Sequence, residues 1–286
     1  MGEHPHMFRK VTIIGAGLIG GSIGMAIKKQ RLAREVIGVS RQHSSLVHAL
    51  KNRAIDRGSH DIKKSVQDAD FVILATPVKA IIEILPQISG SLRRGAIVTD
   101  VGSTKETIVE AAQKCLPAHA FYIGSHPLAG SEKKGAAFSS AELFQDSICI
   151  LTPTDKTNKQ TLEKVKSFWT KLGANVKPLS PSDHDKVLAY ISHIPHLMAY
   201  SLMNVVPAEY LEFASQGLRD TTRIASSDPE MWSDICLVNS TPIVKSLDEV
   251  VKILSTFRKS IVSKDEQHLV ENFRKAKNKR DTIDRA

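Results

Sequence analysis

Short apolar runs recur along the first 180 residues and are separated by stretches of helix length. Several runs are almost wholly apolar, which is typical of strands buried on both faces of a parallel sheet. The pattern predicts seven strands, at residues 11–14, 36–39, 71–75, 97–100, 121–124, 148–151 and 175–178. Alternation of such strands with helices implies βαβ units, so we predict an α/β, Rossmann-type domain over residues 1–180.

The spacing of apolar residues becomes helical from Ser180 onward. Ser180 and Pro181 have the residue types of a helix N-cap and first helical position, and Asp183 follows in the first turn. Apolar side chains then recur at spacings of three and four, at Leu188, Ile191, Pro195, Met198, Leu202 and Val205, with a kink expected at Pro195. Further helix starts are predicted at Asp228-Pro229, at Thr241-Pro242, and at Ser263 followed by Glu266. We therefore predict an all-helical second domain over residues 181–286 and no strand beyond Pro178.

Composition agrees with two globular domains in a reducing compartment. The chain has 286 residues, of which 42% are apolar and 24% charged, so wholesale disorder is excluded. Its three cysteines are far apart and form no CxxC pair, which excludes a disulfide scaffold and common zinc spacings. No apolar run reaches the roughly 18 residues of a membrane span, and residues 1–7 lack an apolar signal segment. We expect a cytoplasmic protein with no membrane partner.

The net charge of +9 permits an anionic partner without identifying one. Lysine and arginine are spread along the chain, and the densest run, at residues 274–280, has no assigned role. Aromatic residues make up only 5%, and no nucleic-acid-binding motif accompanies the basic charge. We therefore predict no nucleic-acid partner and expect the basic surface to attract anionic metabolites.

A glycine-rich loop between the first predicted strand and helix indicates a dinucleotide site. Gly15 suits the tight turn, Gly17 allows the backbone to approach a pyrophosphate, and Gly20 allows close packing of helix on strand. The helix N-terminus after this loop faces the phosphates. We also assign Leu18 and Ile19, within the loop, to the cofactor site.

The residues after the second strand indicate which cofactor binds. An NAD site ends this strand in an acidic residue that binds the ribose 2′-hydroxyl, but here the strand ends in Ser40 and Arg41. Arginine pairs with a 2′-phosphate and serine donates to it, so we predict NADP, with use of NAD as the alternative. Thr76, after the strand at 71–75, is assigned to the same site.

Three polar segments beside apolar runs are candidates for chemistry. They are residues 100–105, residues 125–132, and the helical region that holds His193 and His196 and continues to residues 219–225. The first lies at the end of a predicted strand, where open α/β sheets bind ligands. His193 and His196 are three residues apart, but no nearby carboxylate or thiol completes a metal site, so we predict no metal.

With the glycine loop, these segments resemble the motifs of the prephenate dehydrogenases and the related arogenate and cyclohexadienyl dehydrogenases of tyrosine biosynthesis. The resemblance is carried by residues 15–20, 100–105, 126–132, 192–196, 219–225 and 228–232, in matching order. It implies an oxidoreductase that converts prephenate to 4-hydroxyphenylpyruvate by oxidative decarboxylation, with hydride transfer to NADP or NAD. It also implies that the helical domain forms a homodimer.

The resemblance assigns roles to individual residues. His126 matches the catalytic histidine that takes the proton of the substrate 4-hydroxyl, and Ser103 matches the serine that binds the same hydroxyl. Ser103 is also a candidate helix N-cap. Arg223 matches the arginine that holds a substrate carboxylate. The remaining matches line the substrate pocket: His196, Ser131, Glu132, Arg219 and Trp232. His193 is interpreted as structural.

Alternative functions differ in substrate or in class. Arogenate is the first alternative substrate, and Glu132 offers a partner for its ammonium group. A 3-hydroxyacid dehydrogenase would share the layout but normally places a catalytic lysine on the second-domain helix, where this chain has His193 and His196. A non-catalytic NADP-binding sensor would need the glycine loop without His126, Ser103 and Arg223. Since no βαββαβ module is found, we expect any tyrosine feedback to act at the active site.

Overall fold

The amino-terminal part of the chain is built on a twisted sheet with helices on both faces. In the computed structural model, residues 6–129 and 135–283 are described. Eight strands occur in these residues: β1 (Phe8–Ile14), β2 (Ala33–Val39), β3 (Arg57–Ser59), β4 (Phe71–Leu74), β5 (Ile97–Asp100), β6 (Phe121–Pro127), β7 (Ile148–Thr152) and β8 (Asn175–Pro178). Their order is β3-β2-β1-β4-β5-β6-β7-β8. The first six follow the 3-2-1-4-5-6 order of a Rossmann fold, which confirms the predicted α/β architecture.

Alternation along the strands divides the core between the two faces of the sheet. On β4, Phe71 and Ile73 pack in one apolar cluster, whereas Val72 and Leu74 pack in the other. Helices cover both faces: α1 (Leu18–Lys29), α2 (His43–Lys51) and α6 (Lys159–Lys171) on the first, and α3 (Ile62–Val66), α4 (Val78–Ser89) and α5 (Glu106–Cys115) on the second. All four β4 side chains are buried, as the apolar run predicted.

Two features of the sheet differ from the sequence prediction. Strand β7 runs antiparallel to β6 and parallel to β8, so the sheet is not parallel throughout. An apolar run has the same pattern in either direction, and the pattern therefore contains no information on strand polarity. Strand β3 was missed because its three residues, Arg57–Ser59, are polar and mostly exposed at the sheet edge.

The predicted change to helical structure occurs at Ser180. The Ser180 side chain accepts the backbone N–H of Asp183 at 3.1 Å and caps α7 (Pro181–Leu188). A π-helical turn, Ala189–His193, leads into α8 (Ile194–Val205). Pro195 has no N–H for the preceding turn and its ring clashes there, and the wider π turn accommodates both effects.

Short helical segments complete the first compact unit, which extends to Ser240. They are a 3₁₀ segment (Ala208–Phe213), α9 (Gln216–Thr222), a second 3₁₀ segment (Arg223–Ser226) and α10 (Pro229–Val238). Asp228 caps α10 by accepting the N–H of Met231 at 2.8 Å, as predicted. No described residue after Pro178 is in a strand.

The second compact unit begins at Thr241 and consists of most of α11 (Ser240–Ser263) and of α12 (Glu266–Arg280). The rings of Phe257 and Phe273 join these two helices, with centroids 5.6 Å apart. Ser263 was predicted to cap the last helix, and this prediction is wrong. Ser263 ends α11, and Asp265 caps α12 by accepting the N–H of His268 at 3.0 Å.

Candidate active site

The glycine loop has a geometry that excludes side chains at two of its positions. Gly15 has φ +103°, and a Cβ there would lie 2.3 Å from the Ala75 carbonyl oxygen. A Cβ on Gly20 would lie 1.9 Å from the Gly15 carbonyl oxygen, so α1 can pack this closely on β1 only with glycine. Gly17 faces open space and begins α1 without a side-chain cap. The first N–H groups of α1 are thereby left for an anion.

Thr76 lies against the same loop. It follows β4, and its methyl group would be 2.9 Å from a Cβ placed on Gly15. Its hydroxyl is buried and has no hydrogen-bond partner among the described residues. An unpartnered buried hydroxyl beside Gly15 and the open N-terminus of α1 fits a dinucleotide bound across this edge.

Polar and basic side chains surround the end of β2. Arg41 is exposed there, and Ser40 accepts the backbone N–H of Gln42 at 3.1 Å. The ring of His60 bonds to the carbonyl oxygen of Ser40 at 2.7 Å, and the His43 ring lies 6.0 Å from the His60 ring. This edge therefore presents arginine and imidazole groups where an NAD site has a carboxylate.

The side chains of His126, His184 and Asp185 form a buried hydrogen-bonded array between β6 and α7. His126 lies on β6, and its Nδ1 is 2.8 Å from Nε2 of His184. His184 in turn has its Nδ1 2.7 Å from Oδ1 of Asp185. Both His184 and Asp185 belong to α7, the first helix of the helical region. The residue predicted as the base is thus anchored by two residues that sequence reasoning did not identify.

Asp185 also caps a helix of the α/β domain. Its two carboxylate oxygens accept the backbone N–H groups of Lys105 at 2.7 Å and Glu106 at 2.9 Å, at the start of α5. Ser103 was a candidate N-cap for this helix, and that prediction is wrong, since Asp185 takes the role. Ser103 is half-buried in the loop between β5 and α5. Its hydroxyl is not used in capping α5.

A fully buried ion pair holds this loop in place. Nζ of Lys105 pairs with Asp100 and also donates to the carbonyl oxygen of Ser125 at 2.9 Å. Asp100 accepts further bonds from the Gly102 N–H at 2.8 Å and the Tyr122 hydroxyl at 2.7 Å. Burial and the Asp100 charge raise the pKa of Tyr122 well above its usual value, so the phenol remains a donor.

Burial keeps the two histidines of the array neutral. Burial, followed by electrostatic interactions with His184, Lys105 and His193, lowers the pKa of His126 well below 6.5. Burial also lowers the pKa of His184, although its bond to Asp185 acts in the opposite direction. At neutral pH His126 is therefore in the form that accepts a proton.

His193 joins the array to the helical region. It is buried, and burial lowers the pKa of this residue to about 4. The amide of Asn239 lies 3.1 Å from Nδ1 of His193 and donates to the Asp185 carbonyl oxygen at 2.9 Å. His193 was predicted to be structural, and that role stays a prediction. Asn239 is a further residue that sequence reasoning missed.

A second group of predicted residues lies on α8, α10 and the 3₁₀ segment between α9 and α10. The rings of His196 and Trp232 stack with centroids 3.6 Å apart, and Trp232 also meets the edge of His193. Burial lowers the pKa of His196, and the charge of Arg223 lowers it further, which places Arg223 within electrostatic reach of His196. The indole N–H of Trp232 is buried without a partner among the described residues.

A cavity of about 290 Å³ adjoins this second group. It is lined by Leu197, Tyr200, Pro229, Trp232, Ser233 and Cys236. The lining is mainly apolar, and Trp232 is shared between the cavity and the His196 stack. A ligand ring of modest size would fit there.

The predicted base His126 and the stacked pair of His196 and Trp232 are joined by a chain of direct contacts. His126 connects through His184, Asp185 and Asn239 to His193, whose ring touches Trp232. Arg219 is exposed on α9. Ser131 and Glu132 lie outside the described residues. Within the described ranges, no group of three or more His, Cys, Asp or Glu side chains could hold a metal.

The sequence contains a signal for His184 and Asp185 that the prediction above did not include. The apolar stripe of the helical region includes Leu188, and counting back by three and four residues reaches Asp185 and His184. Both side chains are buried with Leu188 on the same face of α7. A His-Asp pair on the buried stripe of a helix indicates a polar function inside the core.

The glycine loop, the 3-2-1-4-5-6 strand order and a buried histidine near the carboxyl end of β6 define a dinucleotide-dependent oxidoreductase. Family models agree: residues 23–177 match "Prephenate dehydrogenase, nucleotide-binding domain" and residues 180–275 match "Prephenate dehydrogenase, dimerization domain". The chain belongs to the prephenate dehydrogenase family, as its motifs predicted. No helix in the described part is long and apolar enough to cross a membrane.

Individual relatives support this assignment. The chain is 38% identical to the prephenate dehydrogenase of Bacillus subtilis, over 96% of this chain and 76% of that one. It is 34% identical to the cyclohexadienyl dehydrogenase of Zymomonas mobilis, over 96% of each. A crystal structure of prephenate dehydrogenase from Aquifex aeolicus, in complex with hydroxyphenyl propionate and NAD+, matches with a TM-score of 0.90 and 33% identity, covering 99% of this chain and 100% of that one.

Proposed function

We propose that the chain oxidises and decarboxylates prephenate to 4-hydroxyphenylpyruvate, with His126 as the catalytic base. The observation that carries this proposal is the position of His126 near the carboxyl end of β6, buried and neutral and bonded through Nδ1 to His184. Similarity to the B. subtilis and A. aeolicus enzymes supports the choice of reaction.

The chemistry requires a base, a hydride acceptor and cationic contacts. The nicotinamide supplies the hydride acceptor for C4 of the substrate. His126 takes the proton of the 4-hydroxyl, Ser103 binds that hydroxyl, and carbon dioxide leaves as the ring becomes aromatic. A neutral imidazole is suited to this role because it gains a proton without first losing one.

Substrate binding is assigned to the second group of residues. Arg223 holds a carboxylate, and His196 and Trp232 line the pocket beside it, with their rings stacked. Arg219, Ser131 and Glu132 complete the proposed set. The mainly apolar cavity next to Trp232 supports a ring-shaped substrate, and the charge of Arg223 supports an anionic one.

NADP is the proposed cofactor, with NAD as the alternative. Gly15, Gly17, Leu18, Ile19, Gly20 and Thr76 form the nucleotide loop and its edge. Ser40 and Arg41, at the end of β2, are the residues proposed to bind the 2′-phosphate. The nearby imidazoles of His43 and His60 add donors to the same edge. NAD+ is bound in the A. aeolicus structure, so the preference has to be measured on this chain.

A homodimer through residues 181–286 is part of the proposal. The match to a dimerization domain at residues 180–275 supports both the partner and a domain boundary near residue 180. Large apolar side chains lie exposed in each compact unit: Val205 and Phe213 are each 77% exposed in the first, and Val262 is 72% exposed in the second. Such surfaces are typical of interfaces.

Arogenate remains the second candidate substrate, because a cyclohexadienyl dehydrogenase is among the similar proteins. A steady-state assay of prephenate and arogenate, each with NADP and NAD, tests substrate and cofactor together. The expected result is the highest kcat/KM with prephenate and NADP. Inactivity in all four combinations would overturn the proposed reaction. A cytoplasmic location stays a prediction, supported by three free cysteines.

A further inference from the structure

We propose that His184 is a positioning residue that fixes the neutral His126 ring in its Nδ1–H tautomer, so that Nε2 is the proton acceptor. The proposal deepens the proposed function, since it concerns the base of the same reaction. It rests on which atom donates in two buried hydrogen bonds, His184–Asp185 and His126–His184. The donors can be deduced by starting from Asp185.

The deduction starts at Asp185. Its Oδ1 accepts from the backbone N–H of Lys105, and its Oδ2 accepts from that of Glu106. A carboxylate that already accepts backbone donors is also an acceptor toward His184, 2.7 Å away. Nδ1 of His184 therefore carries a proton and donates it to Asp185.

The direction of the next bond follows from the first. Burial lowers the pKa of His184, so its ring is neutral near pH 7 and carries a single proton. That proton is on Nδ1, so Nε2 has a lone pair and can only accept. Its partner at 2.8 Å is Nδ1 of His126, which must therefore be the donor.

The consequence concerns the reacting nitrogen of His126. With its proton held on Nδ1, the neutral ring presents a lone pair at Nε2. The opposite tautomer would have a proton on Nε2 and could not act as a base there. When Nε2 takes the substrate proton, the ring becomes an imidazolium, and its bond to His184 becomes charge-assisted and stronger.

The charges around His126 act in the same direction. Burial and the charge of Lys105, in the loop before α5, lower the pKa of His126 and keep the free ring neutral. His193, in the π turn, faces the same region and is itself neutral, since burial lowers its pKa to about 4. Asp100 faces the same region but is paired with Lys105. Burial and Lys105 thus set the protonation state of His126, whereas His184 is, within the described ranges, the residue whose side chain contacts the nitrogen that decides the tautomer.

Histidine ¹⁵N NMR of the full-length protein tests the proposal directly. The signal of His126 is assigned by its loss in His126→Asn. In the wild type we expect the proton on Nδ1. A proton on Nε2 of the neutral ring would overturn the proposal.

Two substitutions of His184 give a kinetic test. His184→Gln places a carboxamide oxygen near the position of the His184 Nε2, where it can accept from Nδ1 of His126. We therefore expect this variant to keep the Nδ1–H tautomer of His126 and most of kcat. His184→Leu has no acceptor, so we expect a mixed or reversed tautomer and a kcat about 10²-fold lower, because general-base catalysis contributes roughly 10²–10⁴-fold. KM for substrate should change little. His184→Leu with the wild-type tautomer and kcat would contradict the proposal.

His119→Leu is the matched control, since His119 bonds to the Leu92 carbonyl oxygen away from the array. Its kcat should equal that of the wild type. Circular dichroism identifies any variant that fails to fold, and the wild-type tautomer alone still decides the proposal in that case. NMR requires no turnover, so inactivity of the wild type toward prephenate and arogenate would count against the proposed function and leave this test intact.

Discussion

The carboxylate of Asp185 accepts the backbone N–H of Lys105 at 2.7 Å, although 80 residues separate them. One side chain of the first helix after the α/β region thus caps a helix within that region and holds His184 at the same time. The start of the helical region is therefore required for the geometry of the candidate active site.

Replacing Asp185 should lower stability measurably. Asp185→Ala removes the cap of α5 and leaves the buried Nδ1–H of His184 without an acceptor. Loss of a cap costs about 0.5–2 kcal/mol and an unpaired buried donor about 1–3 kcal/mol. We expect the free energy of unfolding in urea to fall by about 2–4 kcal/mol. Asp155→Ala, at an exposed position after β7, is the control and should change it by less than about 0.5 kcal/mol.

Removing the base should affect turnover more than cofactor binding. His126→Asn is expected to lower kcat by about 10²–10⁴-fold, the usual contribution of a general base. The dissociation constant for NADP, measured by fluorescence titration, should stay within a few-fold of the wild type. An unchanged kcat would remove His126 from the mechanism.

The pH dependence of kcat/KM should have an unusually acidic limb. Because the pKa of His126 lies well below 6.5 in the folded protein, the neutral base persists as the pH falls through 6.5. We expect kcat/KM for prephenate to stay constant down to this pH and to fall only in more acidic buffer. A limb centred at 6.5 or above would contradict the assignment of a buried, neutral His126 as the base.

Stability should also decrease in acid, and this loss needs a separate measurement. The pKa of His193 is about 4 in the folded chain against 6.5 in the unfolded chain, so the unfolded chain binds more protons between these values. The stability present above pH 6.5 is therefore lost progressively as the pH falls toward 4. The difference in pKa corresponds to roughly 3 kcal/mol once the pH is below both values. Urea denaturation at several pH values measures this effect and separates it from the kinetic limb.

Arg41 should determine cofactor preference. Arg41→Ala removes a charge-assisted contact worth about 1.5–3 kcal/mol, so kcat/KM for NADP should fall by about 10- to 100-fold while that for NAD changes little. Arg34→Ala, at an exposed arginine of β2, the strand that precedes Arg41, provides the control and should behave as the wild type. Equal loss with both cofactors would indicate that Arg41 does not contact the 2′-phosphate.

Arg223 should act on substrate affinity. Arg223→Ala is expected to raise KM for prephenate by about 10- to 100-fold through loss of a carboxylate contact, with a smaller change in kcat. The exposed Arg94, after α4, supplies a matched substitution to alanine that should leave KM unchanged. A normal KM in Arg223→Ala would place the carboxylate contact elsewhere.

The fold was largely predictable because strands buried on both faces produce continuous apolar runs, as at residues 71–74. The direction of β7 was not predictable, since an apolar run has no polarity. The roles of Gly15 and Gly20 followed from local backbone geometry and could be deduced from the motif. The array was missed because His184 and Asp185 acquire their function only through contacts with His126 and α5, which are distant in sequence.

The buried pair of Lys105 and Asp100 constrains how this sequence can change. Neither side chain is exposed, and removing one partner of such a pair typically costs about 3–5 kcal/mol because an uncompensated charge is left inside the protein. The cost of a single substitution at either position is therefore close to the whole free energy of unfolding of a marginally stable protein. Related sequences should therefore keep both residues or replace both together. We expect the residues at these two positions to vary jointly among relatives, if they vary at all.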